Sequence, residues 1–563
     1  MTYVITQNCV NDASCVPVCP VNCIHPTPDE PDYGTAEMLY IDPDVCIDCG
    51  ACFDVCPVKA IEPDFDLQPH DLPFVDLNAQ YYRDPAHRDY DQTPAKPTRT
   101  VDEWPTAEPL RVAIVGTGPA ACYAADELVS RRGLDVRVDM FERLPVPWGL
   151  LRFGVAPDHQ GTKAAGDDFA RTMRHRNVRL FLDVEVGTAV THEELAERYH
   201  AVIYAVGAMS DRRLGVPGEE LPGSHSATEF VAWYNGHPDY ADRSFDLSGE
   251  KAVIIGNGNV ALDVARILLT DVDVLRHTDI ADHALAQLES SNIREVVVVG
   301  RRGPAQAAFT APELVGLAQT PGIEIRVEAD EVRLDDATRS WSRGREESIA
   351  LYKARLIREL GGTGAGAPRH VTLRFGMSPL ELLGAARVEG LTLSRNELAH
   401  EGEAVVARRT DEVEKLTTGL VLRSVGYRGM HQSGVPFDEG RGVLPNLEGR
   451  VVDPGTQEVV RGVYAAGWIK RGPSGVIGTN KHCAKETVSA LLADWTGGRL
   501  EAVACDDIES MVPHHLDLRG WTAIDGQERA AGRAASRPRV KLVRRDDMVE
   551  VARSAAQDAS APK

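Results

Sequence analysis

Long hydrophobic runs are missing from this chain of 563 residues. No stretch approaches the 18 or so uninterrupted apolar residues that a membrane-spanning helix needs. The first residues, MTYVITQ, also lack the basic region and apolar core of a secretory leader. A cytoplasmic location without membrane attachment is therefore expected. Basic residues are nearly absent from the first 68 positions, where 12 acids face one base, Lys59, giving -11; the other 495 residues carry -12 of the total -23. That acidity excludes nucleic acid as a partner of this segment and favours basic partners. Cysteine is scarce beyond residue 56: eight of the 11 lie between Cys9 and Cys56, leaving Cys122, Cys483 and Cys505, which read as inert thiols. Such clustering suits metal in a reducing compartment better than a disulfide framework. The length implies three or four domains rather than one core.

What is present is a repeat. Cys9, Asp12, Cys15 and Cys19 recur at a constant offset of 37 as Cys46, Cys49, Cys52 and Cys56, and each copy continues Pro-Val. The second copy, C-x2-C-x2-C-x3-C-P, is the spacing that wraps an iron-sulfur cubane, with the fourth thiolate serving the other cluster. The first copy has Asp12 where the second has Cys49. A carboxylate is a harder and weaker iron ligand than a thiolate, so Asp12 decides what the first cluster can be. Short strands are expected at residues 3–6 and 38–41, before the two ligand loops. With few large apolar residues, the unit 1–68 must be held largely by its clusters. Residues 69–109 are rich in Pro, Asp, Tyr and Arg without sustained periodicity and read as a linker, with short helices left open. The basic run 529–545 reads as a solvated tail or a strap against the acidic unit.

Two βαβ units follow. Residues 111–115 run into GTGPAA at 116–121, then a helix and a second strand at 136–141. Gly116, Gly118, Ala120 and Ala121 fit a turn that lets backbone approach a pyrophosphate at a helix N-terminus, and Glu142 supplies the carboxylate for a ribose hydroxyl. The bland alternative is a tight strand-helix turn. GNGNVA at 256–261 repeats the arrangement after the strand 251–255. Its second strand, 294–299, ends in Arg301 and Arg302, which suit a 2′-phosphate and so NADPH, unless they are a solvated pair. Residues 270–291 are extra and expected to be an inserted helix. Strands at 201–207 and 419–426 each end in Val-Gly, the expected hinges of a second nucleotide domain inserted in the first. A flavin is required by electron counting, since nicotinamide delivers a hydride and clusters accept single electrons. His159 and Glu313 are candidate polar groups of the pocket, although each alone would be structural.

Residues 110 to about 500 resemble the adrenodoxin reductase family of ferredoxin-NADP reductases. The marks are PWGL at 147–150, GVAPDH at 154–159, GNGNVALD at 256–263 and GWIKRGPSGVIGTN at 467–480. Residues 1–65 resemble seven-iron or eight-iron bacterial ferredoxins, and the whole order is similar to ferredoxin/ferredoxin-NADP reductase fusions. The resemblance implies an α+β ferredoxin domain followed by an α/β flavoprotein with two Rossmann-like dinucleotide-binding domains, of glutathione/adrenodoxin reductase type. The FAD domain would span 110–209 and 423–500, the NADPH domain 210–422, and an extension packing on the reductase 501–563. It further implies FAD contacts from Leu150, Val186, Trp468, Gly475, Val476 and Ile477 beside those above. NADPH contacts would come from Arg212, Asn257, Gly258, Asn259, Val260, Arg301, Arg302 and Glu313, with Gly475 an additional candidate. His159 and Glu313 would sit beside nicotinamide and isoalloxazine, orienting the cofactor or handling a proton.

On the ferredoxin side, cross-ligation assigns Cys19, Cys46, Cys49 and Cys52 to a 4Fe-4S cluster. Cys9, Cys15 and Cys56 would hold a 3Fe-4S cluster, or a second 4Fe-4S cluster closed by Asp12. The first loop has the eight-iron spacing with Asp at the open corner, and Cys23 is expected as a free thiol nearby. The expected activity is hydride transfer from NADPH to FAD, then single-electron transfer through the clusters to a separate ferredoxin, a cytochrome P450 system or another acceptor. Two rivals are the electron-input unit of a larger enzyme, similar to a glutamate synthase small subunit, and a redox sensor.

Overall fold

Residues 110–115 are apolar at every position but Arg111, and 136–142 carry apolar residues at Val136, Val138, Met140 and Phe141, as strands buried largely on both faces require. In the computed structural model, which describes residues 2–94, 104, 108–361, 366–501, 503 and 508–560, they pair at the heart of a seven-stranded sheet. Its order is Asn446–Leu447, Arg450–Val452, Val459–Ala465, Ala201–Tyr204, Leu110–Val115, Val136–Glu142 and Val178–Leu182, parallel from Val459–Ala465 onward. The second sheet is parallel throughout: Ser224–Ser226, Leu420–Arg423, Lys251–Ile255, Glu295–Val299, Arg369–Arg374 and Ile323–Val327. A three-stranded antiparallel sheet, Met377–Leu383, Gly390–Glu401 and Ala404–Thr417, covers part of one of its faces.

The strands ending in Val-Gly belong to the two sheets themselves. The chain crosses just after each of them, where Ser210–Asp211 pairs antiparallel with Tyr427–Arg428. Residues 270–291, expected as one helix, form two short ones, Val272–Leu275 and Asp282–Glu289, each started by its own turn.

The sequence repeat of the N-terminal unit is also a backbone repeat. Left-handed residues recur at the same offset: Asn11 (φ 56) and Asp48 (φ 57), Ala13 (φ 55) and Gly50 (φ 77), Asn22 (φ 46) and Lys59 (φ 50). Cys19 (φ -73, ψ 116) and Cys56 (φ -71, ψ 113) end their helical turns alike. The strands pair as Tyr3–Ile5 with Ile61–Pro63, and Ile24–His25 with Tyr40–Ile41.

The first part of the expected linker is not an open connection. Helix Pro73–Arg83 buries Phe74, Leu77, Tyr81 and Tyr82 in the core of the cysteine-rich unit. Asn78, 2% exposed, joins both strand pairs: its Oδ1 accepts from Ile5 N (3.3 Å) and Ile41 N (2.9 Å), and its Nδ2 donates to Ile5 O (2.8 Å). Residues 95–103 and 105–107 of that segment, and Cys505, lie outside the described residues.

The basic C-terminal run is neither a solvated tail nor a strap on the acidic unit. Its cations meet acids of the reductase portion: Arg539 with Asp525 (2.9 Å) and Glu528 (2.8 Å), Lys541 with Asp279 (3.2 Å), Arg545 with Asp183 (2.7 Å). Glu528, wholly buried, also accepts from Arg152 Nη1 (2.9 Å), so the helix Leu518–Ala534 is fastened beneath PWGL.

Candidate functional site

Both glycine turns have room where a pyrophosphate belongs. Gly116 (φ 106) and Gly256 (φ 111) lie against the carbonyls of Ala205 and Ser424, where a Cβ would come within 2.6 and 2.1 Å of oxygen. At Gly118 and Gly258 a Cβ would meet nothing within 4 Å, and each caps the helix that follows, Pro119–Val129 or Asn259–Leu269. Free amides at a helix N-terminus beside open space favour an anion. Glu142 accepts from Thr117 Oγ1 (2.7 Å) and Leu144 N (3.1 Å), and burial raises its carboxyl above the ordinary range.

The remaining implied flavin contacts surround the first turn. Trp148 N donates to Thr117 O (3.1 Å), which sets Leu150 beside the turn. Gly467 lies against Ala120, which places Trp468, and Asn480 Nδ2 donates to Val476 O (3.1 Å) and Ile477 O (3.0 Å), which folds the segment from Gly475 back on itself. Val186, paired with Val190, packs at the end of the same sheet. Around the second turn, Phe309 N donates to Asn257 O and Thr310 N to Asn259 Oδ1, both 2.8 Å, and carry Glu313 toward the domain junction. Arg301 and Arg302 follow Glu295–Val299, whereas Arg212 is held at the crossover by its amide, which donates to Gly426 O (3.0 Å).

His159 and Glu313 are brought together, 4.0 Å apart, by a residue that the sequence did not announce. Arg266, 3% exposed, reaches Asp158 (2.6 Å), Asp263 (2.6 Å), His159 Nε2 (2.8 Å) and, at 3.6 Å, Glu313. An arginine flanked by Ala265 and Ile267 in the mostly apolar helix Asn259–Leu269, three residues after Asp263, was the available signal, since such a buried charge needs partners. Burial would raise Asp158, but the guanidinium outweighs it and holds that carboxyl at about 2. Burial, with Asp263 close by, pushes Glu313 up. His159, Asp263 and Glu313 place ligand-type atoms within 4.8 Å of one another, and Arg266 supplies the positive charge there. Glu313 Oε2 and Arg266 Nη1 are buried without hydrogen bonds.

The cysteines form two groups. Cys19, Cys46, Cys49 and Cys52 line one cavity of about 290 Å³, open in part to solvent, with Cys23 and Tyr3. Cys23 Sγ lies 3.4 Å from Cys19 Sγ, and hydrogen bonding by the Cys23 thiol lowers Cys19 and takes Cys46 down to about 5. Burial raises the Cys52 thiol to about 12, but four cysteine sulfurs on one cavity are the donor set a 4Fe-4S cluster takes, so the residues fit one. Cys9, Asp12, Cys15 and Cys56 face one another in the second group, where burial raises all three thiols and takes Cys9 up to about 12. Of the eight, Cys49 is exposed, beside the exposed Ile47 and Phe53. Cys122 is buried in the core of the first nucleotide fold, and Cys483 is buried with its sulfur accepting from Gly467 N (3.3 Å).

The second group sits at the reductase. Gly478 N donates to Val10 O (2.7 Å), and the Gly478 backbone lies so close that a Cβ would come within 2.3 Å of Asp12 N. Val10, Val58 and Ala60 join the core of the first nucleotide fold. Glu37 clasps the second fold, pairing with Lys353 (2.7 Å) and accepting from Ala311 N (2.6 Å).

Two dinucleotide folds, one inserted in the other, with paired cysteine sites docked at their junction, define a flavoprotein oxidoreductase carrying a dicluster iron-sulfur unit. Residues 110–336 match the pyridine nucleotide-disulphide oxidoreductase family, and 8–60 and 38–95 match 4Fe-4S dicluster domains. The chain is 48% identical to a probable ferredoxin/ferredoxin--NADP reductase of Mycobacterium tuberculosis over 99% of its own length and 96% of that protein's. It is 46% identical to the NADPH-ferredoxin reductase FprA of the same organism, over 79% of this chain and 99% of FprA. The structure of FprA in complex with NADPH superposes with a TM-score of 0.74 at 44% identity, covering 79% of this chain and all of that one. The chain belongs to the ferredoxin/ferredoxin-NADP reductase fusion family, FAD-dependent oxidoreductases with a built-in ferredoxin domain. Among the described residues no helix is long and apolar enough to cross a membrane.

Proposed function

We propose that this chain takes hydride from NADPH onto FAD and passes the electrons singly through the Cys9, Cys15 and Cys56 site, then the Cys19, Cys46, Cys49 and Cys52 site, to a protein acceptor. The observation that carries this order is the seating of the first ligand loop on Gly478, next to the flavin segment Gly475 to Ile477, while Cys49 faces outward. Bound FAD supplies the conversion between two-electron and one-electron chemistry. Gly116, Gly118, Ala120 and Ala121 would hold its pyrophosphate and Glu142 a ribose hydroxyl, with Leu150, Val186, Trp468 and residues 475–477 as its further contacts. Asn257 to Val260 would hold the NADPH pyrophosphate, Arg301 and Arg302 would neutralise the 2′-phosphate, and Arg212 would add a further NADPH contact from the crossover. Glu313 Oε2 and Arg266 Nη1, which face each other at 3.6 Å without a hydrogen bond, offer an acceptor and a donor to the amide group of a nicotinamide, while His159 orients Glu313 or holds a proton.

With three thiolates, the first site holds a 3Fe-4S cluster, or a 4Fe-4S cluster when Asp12 closes it; the second holds 4Fe-4S. The acceptor is a separate ferredoxin or another one-electron carrier such as a P450 system. Collinearity with the relative over nearly the whole of both chains favours this reading over an electron-input subunit or a sensor. Anaerobic NADPH titration with optical and EPR detection tests it. Flavin and both clusters take up electrons if the reading is right; clusters that stay oxidised beside a reduced flavin overturn it.

A further inference from the structure

The left-handed residues flanking Asp12, Asn11 and Ala13, repeat those flanking Cys49, Asp48 and Gly50. The shared backbone puts Asp12 at the position in its loop that Cys49 holds in the other. Yet Asp12 is already engaged. Its Oδ2 accepts from the Ser14 hydroxyl and, at 3.3 Å, from Lys481 Nζ, which also donates to Ser14 Oγ at 2.9 Å. The carboxylate is largely buried (11% exposed), so its attraction to the ammonium is only partly screened. Lys481 belongs to the reductase, in the first turn of the helix Thr479–Thr496, three residues beyond Gly478. A cation and a hydroxyl on one carboxylate lower its donor strength toward iron and fix its position.

We infer that Lys481 is a positioning residue which withholds Asp12 from iron, so that docking of the ferredoxin unit on the reductase sets the iron content of the first cluster. This rests on the reading of the Cys9, Cys15 and Cys56 group as a cluster site. The step it controls balances: a neutral reduced 3Fe-4S core takes one ferrous ion to give a 4Fe-4S core of charge 2+. An Asp12 oxygen-iron bond forms as the Lys481 hydrogen bond is released. The electron that reduces the three-iron core comes from NADPH through the flavin.

The test is EPR of the full-length holoenzyme, reduced with NADPH, incubated with graded ferrous iron and reoxidised, with iron analysis of each sample. In Lys481→Met the three-iron signal disappears at ferrous concentrations at least fivefold below those the parent requires. Lys481→Arg, which keeps the charge, behaves like the parent. In an Asp12→Ala background Lys481→Met has no effect, because the pair acts through one carboxylate. Asp12→Cys, which gives the lysine nothing to hold, carries four iron atoms at that site whatever stands at 481. Conversion of Lys481→Met at the parent's ferrous concentration or a higher one overturns the inference, as does a persistent three-iron signal in Asp12→Cys. A parent with four iron atoms per chain and no three-iron signal would overturn the cluster reading itself, and is recognised by its iron content before any variant is compared.

Discussion

Arg266 is the charge on which the polar junction turns. It holds three acids and a histidine in a pocket where none of them would tolerate isolation. Arg266→Met is expected to cost about 3 to 5 kcal/mol of stability, the usual effect of stranding buried charge, and a fall in the denaturation midpoint measures it. The same residue shapes the acid limit. The folded Asp158 carboxyl titrates at about 2, below its ordinary value near 4. Its pairing therefore stabilises the fold fully above pH ~4, and the contribution is lost as pH falls from about 4 to about 2. In Arg266→Met, thermal melts across that range should lose this part of the pH dependence. At the first ligand loop the decisive residue is again a side chain from elsewhere, since the Asp12 carboxylate answers to Lys481 rather than to its own repeat.

At the scale of elements, the helix Pro73–Arg83 closes the cysteine-rich unit, which cannot build a core from its two short strand pairs alone. Asn78 serves three backbone groups of those strands. Asn78→Ala leaves them buried and unpaired, at about 3 kcal/mol, and cluster absorbance should bleach at lower denaturant while the flavin signal holds. A second element, the turn at 475–478, couples the two halves of the molecule. Gly478→Ala places a methyl group against the backbone of Val10 and Asp12, which cannot yield as a flexible side chain would. Once the flavin is reduced, electron transfer onward to the clusters is expected to slow at least tenfold, read by stopped-flow absorbance.

For the whole molecule, docking replaces the picture of a ferredoxin swinging on a tether. The contacts through Val10, Glu37 and Gly478 make internal transfer a unimolecular step between fixed neighbours. Its rate should therefore change less than twofold between low and 0.5 M salt, whereas reduction of an added basic acceptor should fall several-fold over the same range as steering is screened. The reason lies in the charge of that unit: Asp44, Asp48 and Asp54 lie within a few residues of the exposed Cys49 along the chain, beside the exposed Ile47 and Phe53, and Lys59 is the single base among residues 1–68. A tenfold salt effect on internal transfer would mean that the unit leaves its seat.

The repeat of ligand positions, the two glycine turns, Glu142 and the arginine pair were legible in the sequence, because each is a local device whose chemistry is fixed by spacing along one stretch of chain. Apolar runs likewise revealed six of the parallel strands of the two sheets, since strands buried on two faces are rich in apolar residues. The helix 73–83 was not legible as part of the first unit, since its polar and aromatic residues make sense only against strands formed elsewhere. The basic C-terminal run looked free because its partners, Asp183, Asp279 and Glu528, are scattered through the sequence. Sequence alone thus singled out the candidate groups for two dinucleotides and two clusters. Tertiary structure decided which cysteine site packs on Gly478, what Arg266 gathers and what holds Asp12, because these are contacts between distant segments, and only folding brings their charges within a few ångströms.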